Sequence, residues 1–531
     1  TGREIAPPPV LDTDTAPRIV FISWSDGAST ARVVVGAGRG VGEAVEAALA
    51  AVPSAAETRW VKVDLVAEVH RIEGVGEFNP QPIEFDRTLY GLAFDRGSGI
   101  AFLPEEVATR DIIDSDRMIS LDNIARYLGP ERAEDLRTVA TSQFTVFRFS
   151  TAGFFWEGGD AVELYRGHRR ISPAEGAVLV EAAVAGGDYL ARMTDPDGRF
   201  TYRYDPATGP KGEDYNLVRH AGTVYAMLEL YELSRDVDLL AAAERAIRYL
   251  TSALSPCGSS GDGTLCVVDD GSISLGANAL AVLALTEHAR VTGEETHLDT
   301  AAALAEWIVE TQAEDGQFLI HRQEHPAGVI APFESAYYPG EAVFALTRLY
   351  RVDPQARWLD AAELAVRWVI TVRDDVTNAE LVHDHWLLYG LDELHRLRPD
   401  PIYLAHAARL ASVIVEAQNR KVPYPDWEGG YFSPPRTTPT ATRSEGLAAA
   451  HRILRDYAKG SKGGLLEALR MGVEFLLQTQ LREERVMYFD DPARALGGFT
   501  GSLTDREVRI DYVQHNLSSL LALYTIEQAE P

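Results

Sequence analysis

Within LVHDHWLLYGLDEL, residues 381–394, His383, Asp384, His385 and Trp386 stand together where a loop runs into an apolar helix. Two imidazoles, a carboxylate and an indole in so short a stretch can move protons near neutral pH and offer a flat apolar face. Five other stretches of the C-terminal two-thirds follow the same pattern, with polar or aromatic residues opening a helix that then turns almost wholly apolar. They supply Asn216, Arg219 and His220; Asn278; Tyr337, Tyr338 and Glu341; Glu445; and Asp511, His515 and Asn516. Each has a structural explanation alone, since Asp and Asn cap helices, Arg pairs with carboxylates and aromatic rings pack. Together, the carboxylates Glu341, Asp384, Glu445 and Asp511 and the histidines His220, His383, His385 and His515 exceed what capping requires.

These stretches must be brought together by the helices they open. From residue 170 onward the chain reads as twelve helices of two alternating kinds. Segments such as VDLLAAAERAIRYLTSAL and HLDTAAALAEWIVETQ repeat apolar residues at three and four, which leaves one face wet. Segments such as GANALAVLAL and NLSSLLALY are apolar nearly all round and must be buried on every side. Strict alternation of the two predicts an inner ring wrapped by an outer ring. Connections from inner to outer helices are short, as in SRDVD and RVDPQ. Those from outer to inner helices are long and rich in Gly, Pro, Asp and aromatics, with DGRF at 197–200, DGQF at 315–318, GGYF at 429–432 and GGF at 497–499. All the long loops therefore fall at the amino ends of the inner helices, where ordered loops on a rigid scaffold carry function. Six converging amino-termini also favour carboxylates and polar ligands there.

Aromatic faces stack on the apolar faces of sugar rings, while amides, Arg and carboxylates read hydroxyls, so the constellation points to an oligo- or polysaccharide. Paired carboxylates among Glu341, Asp384, Glu445 and Asp511 would serve glycoside hydrolysis, with His385 as a further catalytic candidate. Histidine acid/base chemistry would instead serve epimerisation or elimination at a sugar carbon. The alternating helices resemble the (α/α)6 toroid of many glycoside hydrolases, polysaccharide lyases and sugar epimerases. VHDHW at 382–386 is similar to the His-x-His helix start of the N-acylglucosamine and cellobiose 2-epimerase family, and YYPGEA at 337–342 and SEGLAAA at 444–450 resemble its later helix starts. That resemblance implies His385 and His515 as an acid/base pair and Arg219 as a substrate holder. The glucuronyl C5-epimerase group is similar in layout.

The expected fold is mostly α, a toroid at 170–531 preceded by an N-terminal arm at 1–17 and a smaller α+β accessory domain at 18–165. In the latter, runs such as RIVFISW, ARVVVGA and WVKVDLVAEV read as strands and show no catalytic constellation. GAGRGVGEA at 36–44 lacks the acidic residue that would close a dinucleotide-binding unit, so a strand turning into a helix is expected. At 531 residues with 46% hydrophobic and 24% charged, the chain suits two globular domains. A balance of 79 acidic to 50 basic residues gives −29, which disfavours nucleic acid, and no run suits a membrane span. Cys257 and Cys266 flank a Gly/Ser/Asp-rich loop, so a disulfide and an exported, secreted or periplasmic protein are expected.

No metal or cofactor is expected, since two Cys cannot complete a four-ligand zinc site, and the acidic VRDD at 372–375 ends an outer helix and is no DxDD cluster. These absences also set aside terpenoid-cyclase, prenyltransferase and lanthionine-cyclase readings. Glycoside hydrolysis is the favoured expectation, epimerisation or uronate elimination the alternative, and a non-catalytic glycan-binding protein the reading from another class. The oligomeric state is left open.

Overall fold

The computed structural model describes residues 16–52, 58–72, 89–94, 99–114, 118–129, 145–212, 214–257, 263–458 and 464–529. Of the arm expected at 1–17, all but the last two residues lie outside this set.

The N-terminal part is an antiparallel sheet built on β1 (Pro17–Ser25), β2 (Arg32–Arg39), β3 (Trp60–Arg71), β4 (Gly91–Phe94), β5 (Ala101–Phe102) and β6 (Val146–Trp156). Their order is β2-β1-β3-β6-β4-β5, and β7 (Val162–Tyr165) joins β6 to β8 (His168–Arg169). The glycine-rich segment is the turn from β2 into helix α1 (Gly40–Leu49). A Cβ on Gly36 would lie 2.0 Å from the Ala44 carbonyl oxygen, so the glycine lets the helix fold back onto its own strand. One sheet face presents Phe21, Trp60, Phe149 and Phe155, which join the core of the helical part. The joint is also polar, for Ala31 N donates to Met487 O at 2.6 Å and Tyr488 Oη donates to Ser23 Oγ at 2.9 Å.

Short helices α2 (Pro104–Thr109) and α3 (Leu121–Leu128) complete the N-terminal part. Beyond it, twelve long helices among the described residues form two rings. The inner ring is α5 (Leu217–Ser234), α7 (Leu275–Thr292), α9 (Tyr338–Val352), α11 (His385–Leu397), α13 (Thr437–Tyr457) and α15 (Ile510–Ala529). Each packs on the next, and α15 returns to α5, so the ring is closed. Around it lie α4 (Ala177–Arg192), α6 (Val237–Ser252), α8 (Leu298–Glu310), α10 (Ala356–Trp368), α12 (Pro401–Glu416) and α14 (Leu465–Gln478). Burial explains the two sequence patterns: α7 is buried from Leu275 to Ala289 without a break, whereas α6 buries only one stripe.

The glycine-aromatic turns do one job four times. Gly198, Gly316, Gly429 and Gly497 all have positive φ, and a Cβ would lie 1.9–2.2 Å from the carbonyl oxygen of Arg245, Leu364, Met471 or Ala185 on the next outer helix. Phe200, Phe318, Tyr431 and Phe499 beside them are buried. Each turn thus locks one hairpin to its neighbour around the ring, because only glycine permits both the conformation and the approach.

Two inner helices start earlier than the sequence pattern predicts. Glu445 and Asn516, expected at helix starts, lie inside α13 and α15, which begin at Thr437 and Ile510. TTPTATRS resembles a loop, yet Pro439 falls in the first turn, where a missing N–H costs nothing. Thr440 and Thr442 donate their hydroxyls to the carbonyls of Arg436 and Thr438 at 2.8 and 3.0 Å. Glu445 therefore projects into the bore about two turns below the mouth.

Candidate active site

At the centre of the ring, α11, α13 and α15 bring His385, Glu445 and His515 together. Their ligand atoms lie within 4.8 Å of one another. His515 Nδ1 is 2.8 Å from Glu445 Oε1, and Tyr389 Oη donates to Glu445 Oε2 at 3.2 Å. The imidazoles of His385 and His515 meet edge to face, with centroids 5.3 Å apart. Both nitrogens of His385 are shut off from solvent and have no hydrogen-bond partner. Burial first, then the neighbouring His515 and Arg443, hold His385 well below the ordinary histidine value, so its ring is neutral. Trp386 packs against it at 4.7 Å, and Tyr337, 44% exposed, lies 6.2 Å away on the solvent side.

The carboxylates separate into two kinds. Asp384 caps α11 by accepting from Leu387 N at 3.0 Å and binds Arg373 Nη1 at 3.0 Å. Arg373 reaches it from a π-helical turn that ends α10. Asp511 is held by Arg509 and Arg219, the latter at 3.3 Å. By contrast, Glu341 Oε2 is buried without a partner, and burial reinforced by Asp384 pushes the group up to about 8. Burial also raises Glu445, against the opposing pull of His515 and Tyr389.

Other residues singled out in the sequence lie outside this cluster. His220 faces the outer ring, with Nδ1 2.8 Å from Tyr215 Oη and Nε2 2.8 Å from Ala246 O; burial brings it down to about 4. Asn216 caps α5 through Arg219 N, Asn278 accepts from Val267 N in a neighbouring hairpin, and Asn516 donates to Tyr512 O. His220 and Asn278 find partners on an outer helix and in a hairpin, which no local pattern reveals, whereas Asn216 and Asn516 bond within one turn along their own helices. His383 lies next to the cluster, but its Nδ1 accepts from Arg443 Nε at 2.8 Å, and burial and that guanidinium bring it down to about 4. Tyr338 closes the wall beside Glu341, its ring 6.0 Å from His321. Arg219 remains at the mouth, donating to Tyr202 Oη at 2.8 Å.

Residues not anticipated are Tyr389, Arg373, Arg443 and Phe432. Tyr389 was legible as the i+4 neighbour of His385 on one helix face. Phe432 is 55% exposed at φ +73, beside the Arg443 guanidinium 5.3 Å away. Two imidazoles and a carboxylate could hold a divalent ion, although Glu445 and His515 already satisfy one another.

No family model matches the chain, and no curated protein does. Solved structures do match, over about two-thirds of the chain. A D-mannose isomerase superposes with TM-score 0.51 at 14% identity, over 67% of this chain and 99% of the other. A cellobiose 2-epimerase from Bacillus thermoamylovorans gives TM-score 0.51 at 16% identity, over 66% and 100%. The fold is the (α/α)6 toroid.

Proposed function

We propose that the chain is a carbohydrate-active enzyme that moves a proton at the carbon beside a sugar carbonyl, as an aldose–ketose isomerase or 2-epimerase does. The observation that carries this reading is the juxtaposition of a neutral, unpartnered His385 with a carboxylate-bonded His515. His385 is a free base at neutral pH and accepts the carbon-bound proton; the bonding electrons form a carbon–carbon double bond as the carbonyl electrons move onto oxygen, giving an enediolate. Glu445, bonded to Nδ1, orients the His515 ring, from which a proton returns to the opposite face or to the adjacent carbon. Arg219 and Trp386 orient the sugar, and Tyr337 must swing aside to admit it. The two fold relatives, an isomerase and an epimerase, support the choice of substrate class. The disulfide between Cys257 and Cys266 fits an oxidising compartment.

Glycoside hydrolysis, the favoured expectation from sequence, keeps one specific support. Glu341, protonated at neutral pH, has the character of a general acid. Asp384 and Asp511, its expected partners, are engaged by Arg373 and by Arg509 with Arg219. A purely glycan-binding protein would require all the helix-start carboxylates to be tied down in this way, and Glu341 is not.

The test is a product screen with aldoses, disaccharides and uronate polymers, read by NMR and ultraviolet absorbance. Epimers or ketoses at constant chain length are expected. New reducing ends without isomerised product would establish hydrolysis instead, and an unsaturated uronate would establish elimination.

A further inference from the structure

The other end of the ring, where the six inner helices finish, holds a cavity of about 680 Å³. Six carbonyl-rich helix ends converge there, and arginines at such ends neutralise the helix dipoles. Neutralisation alone would be served by a ring packed shut. Here the bore stays open down to a floor of Tyr225, Phe344 and Tyr389, the last two rings stacked 5.0 Å apart. The volume lies within the ~300–1,000 Å³ of small-ligand sites.

The walls decide the ligand's charge. Five arginines and six carboxylates line the cavity. Glu229, accepting from Ser518 Oγ at 2.6 Å, is pushed up to about 7 by burial foremost, so the lining is close to neutral at physiological pH. Most guanidiniums are spent on one another's carboxylates, as Arg348 is on Glu287 and Glu393. Arg452 differs. Its Nε donates to Asp392 at 2.9 Å, but neither Nη atom has a partner among the described residues, and 24% of its side chain remains accessible beside the Tyr389 ring. A planar two-donor fork over an aromatic floor, in a neutral lining, is chemistry suited to vicinal hydroxyls and the apolar face of a pyranose.

We infer that this cavity is a second saccharide site, for a neutral mono- or oligosaccharide, at the end of the toroid opposite the His385–Glu445–His515 cluster. Tyr389 is the partition between the two: its ring floors the cavity and its hydroxyl holds Glu445. The site stands independently of the chemistry proposed at the amino end.

Titration calorimetry with cellobiose and with α-1,6-mannobiose on the full chain tests it. Thr525→Trp, at an exposed lip position, should remove one equivalent of bound disaccharide while leaving the far cluster intact. Arg452→Met should weaken the same equivalent by roughly 10- to 100-fold, the loss expected for charge-assisted hydrogen bonds. Asp392 keeps Arg396 in that variant, so the ring stays paired. The proposal is overturned if neither disaccharide binds, or if both variants bind as the wild type does. Failure of the amino-end chemistry would look different, as absent turnover with this equivalent still bound.

Discussion

Glu341 offers the sharpest quantitative handle on the site. The residue is 4% exposed, with Oε2 unpartnered, and burial raises its carboxyl from 4.5 to about 8. In the unfolded chain the group loses its proton near pH 4.5, whereas the folded chain holds it until about pH 8. Between those values the unfolded state binds fewer protons, so stability falls as pH rises, and the loss is complete above the folded value. A difference of this size corresponds to about 5 kcal/mol at ~1.4 kcal/mol per pH unit, before relaxation or water entry reduces it. Glu341→Gln removes the titration while preserving shape, at a cost of ~1–3 kcal/mol for a buried amide left short of partners. Urea unfolding at pH 5, 7 and 9 reads the outcome. The variant should be no more stable than wild type at pH 5 and more stable by several kcal/mol at pH 9. Parallel pH dependence in the two proteins would refute the account of a buried, protonated Glu341.

Four further outcomes follow from the same geometry. His385→Asn should lower turnover by about 10²–10⁴-fold, the range for a lost acid/base group, with little change in urea midpoint; retained turnover would remove His385 from the chemistry. Asp384→Ala should cost about 2–4 kcal/mol of stability, because it deletes a helix cap and one of the two carboxylates on Arg373. Loss of activity at unchanged stability would make Asp384 catalytic after all. Gly276→Ala would put a Cβ 2.5 Å from Glu341 Oε2 and 2.4 Å from the Tyr338 ring; it should disable hydrolysis by Glu341 but spare proton transfer between the histidines, which comparative assays of both products can read. Replacing Cys257 and Cys266 by Ser opens a loop with sequence separation 9; the expected cost is ~2–3 kcal/mol on the loop-entropy account, measurable by denaturant titration.

The two rings were legible because burial on every side leaves no polar face, a constraint that α5, α7 and α15 obey over most of their length. The position of the mouth followed from loop lengths. Depth inside the bore was not legible, since Glu445 lies beneath eight helical residues whose Thr and Pro content reads as loop. Nor could single residues be sorted into site and support. His220 and Asn278 occupy helix starts just as His385 does, but their partners lie on an outer helix and in a hairpin. The first domain hid a polar cluster for a related reason. In WVKVDL the alternation turns Lys62 and Asp64 toward the core, where Lys62 Nζ binds both Asp64 oxygens at 2.7 Å and Glu105 at 3.1 Å. Read by hydrophobicity alone, that strand points the wrong way.

Proton exchange at carbon tests the central claim most directly. Incubated in heavy water with D-mannose or cellobiose, the chain should place solvent deuterium at C2 of the reducing sugar, seen as loss of the C2 proton signal by NMR. His385→Asn and His515→Asn should each abolish that exchange. Wild-type protein that cleaves a glycosidic bond without exchange at C2, or variants that exchange as the wild type does, would contradict proton transfer between the two histidines.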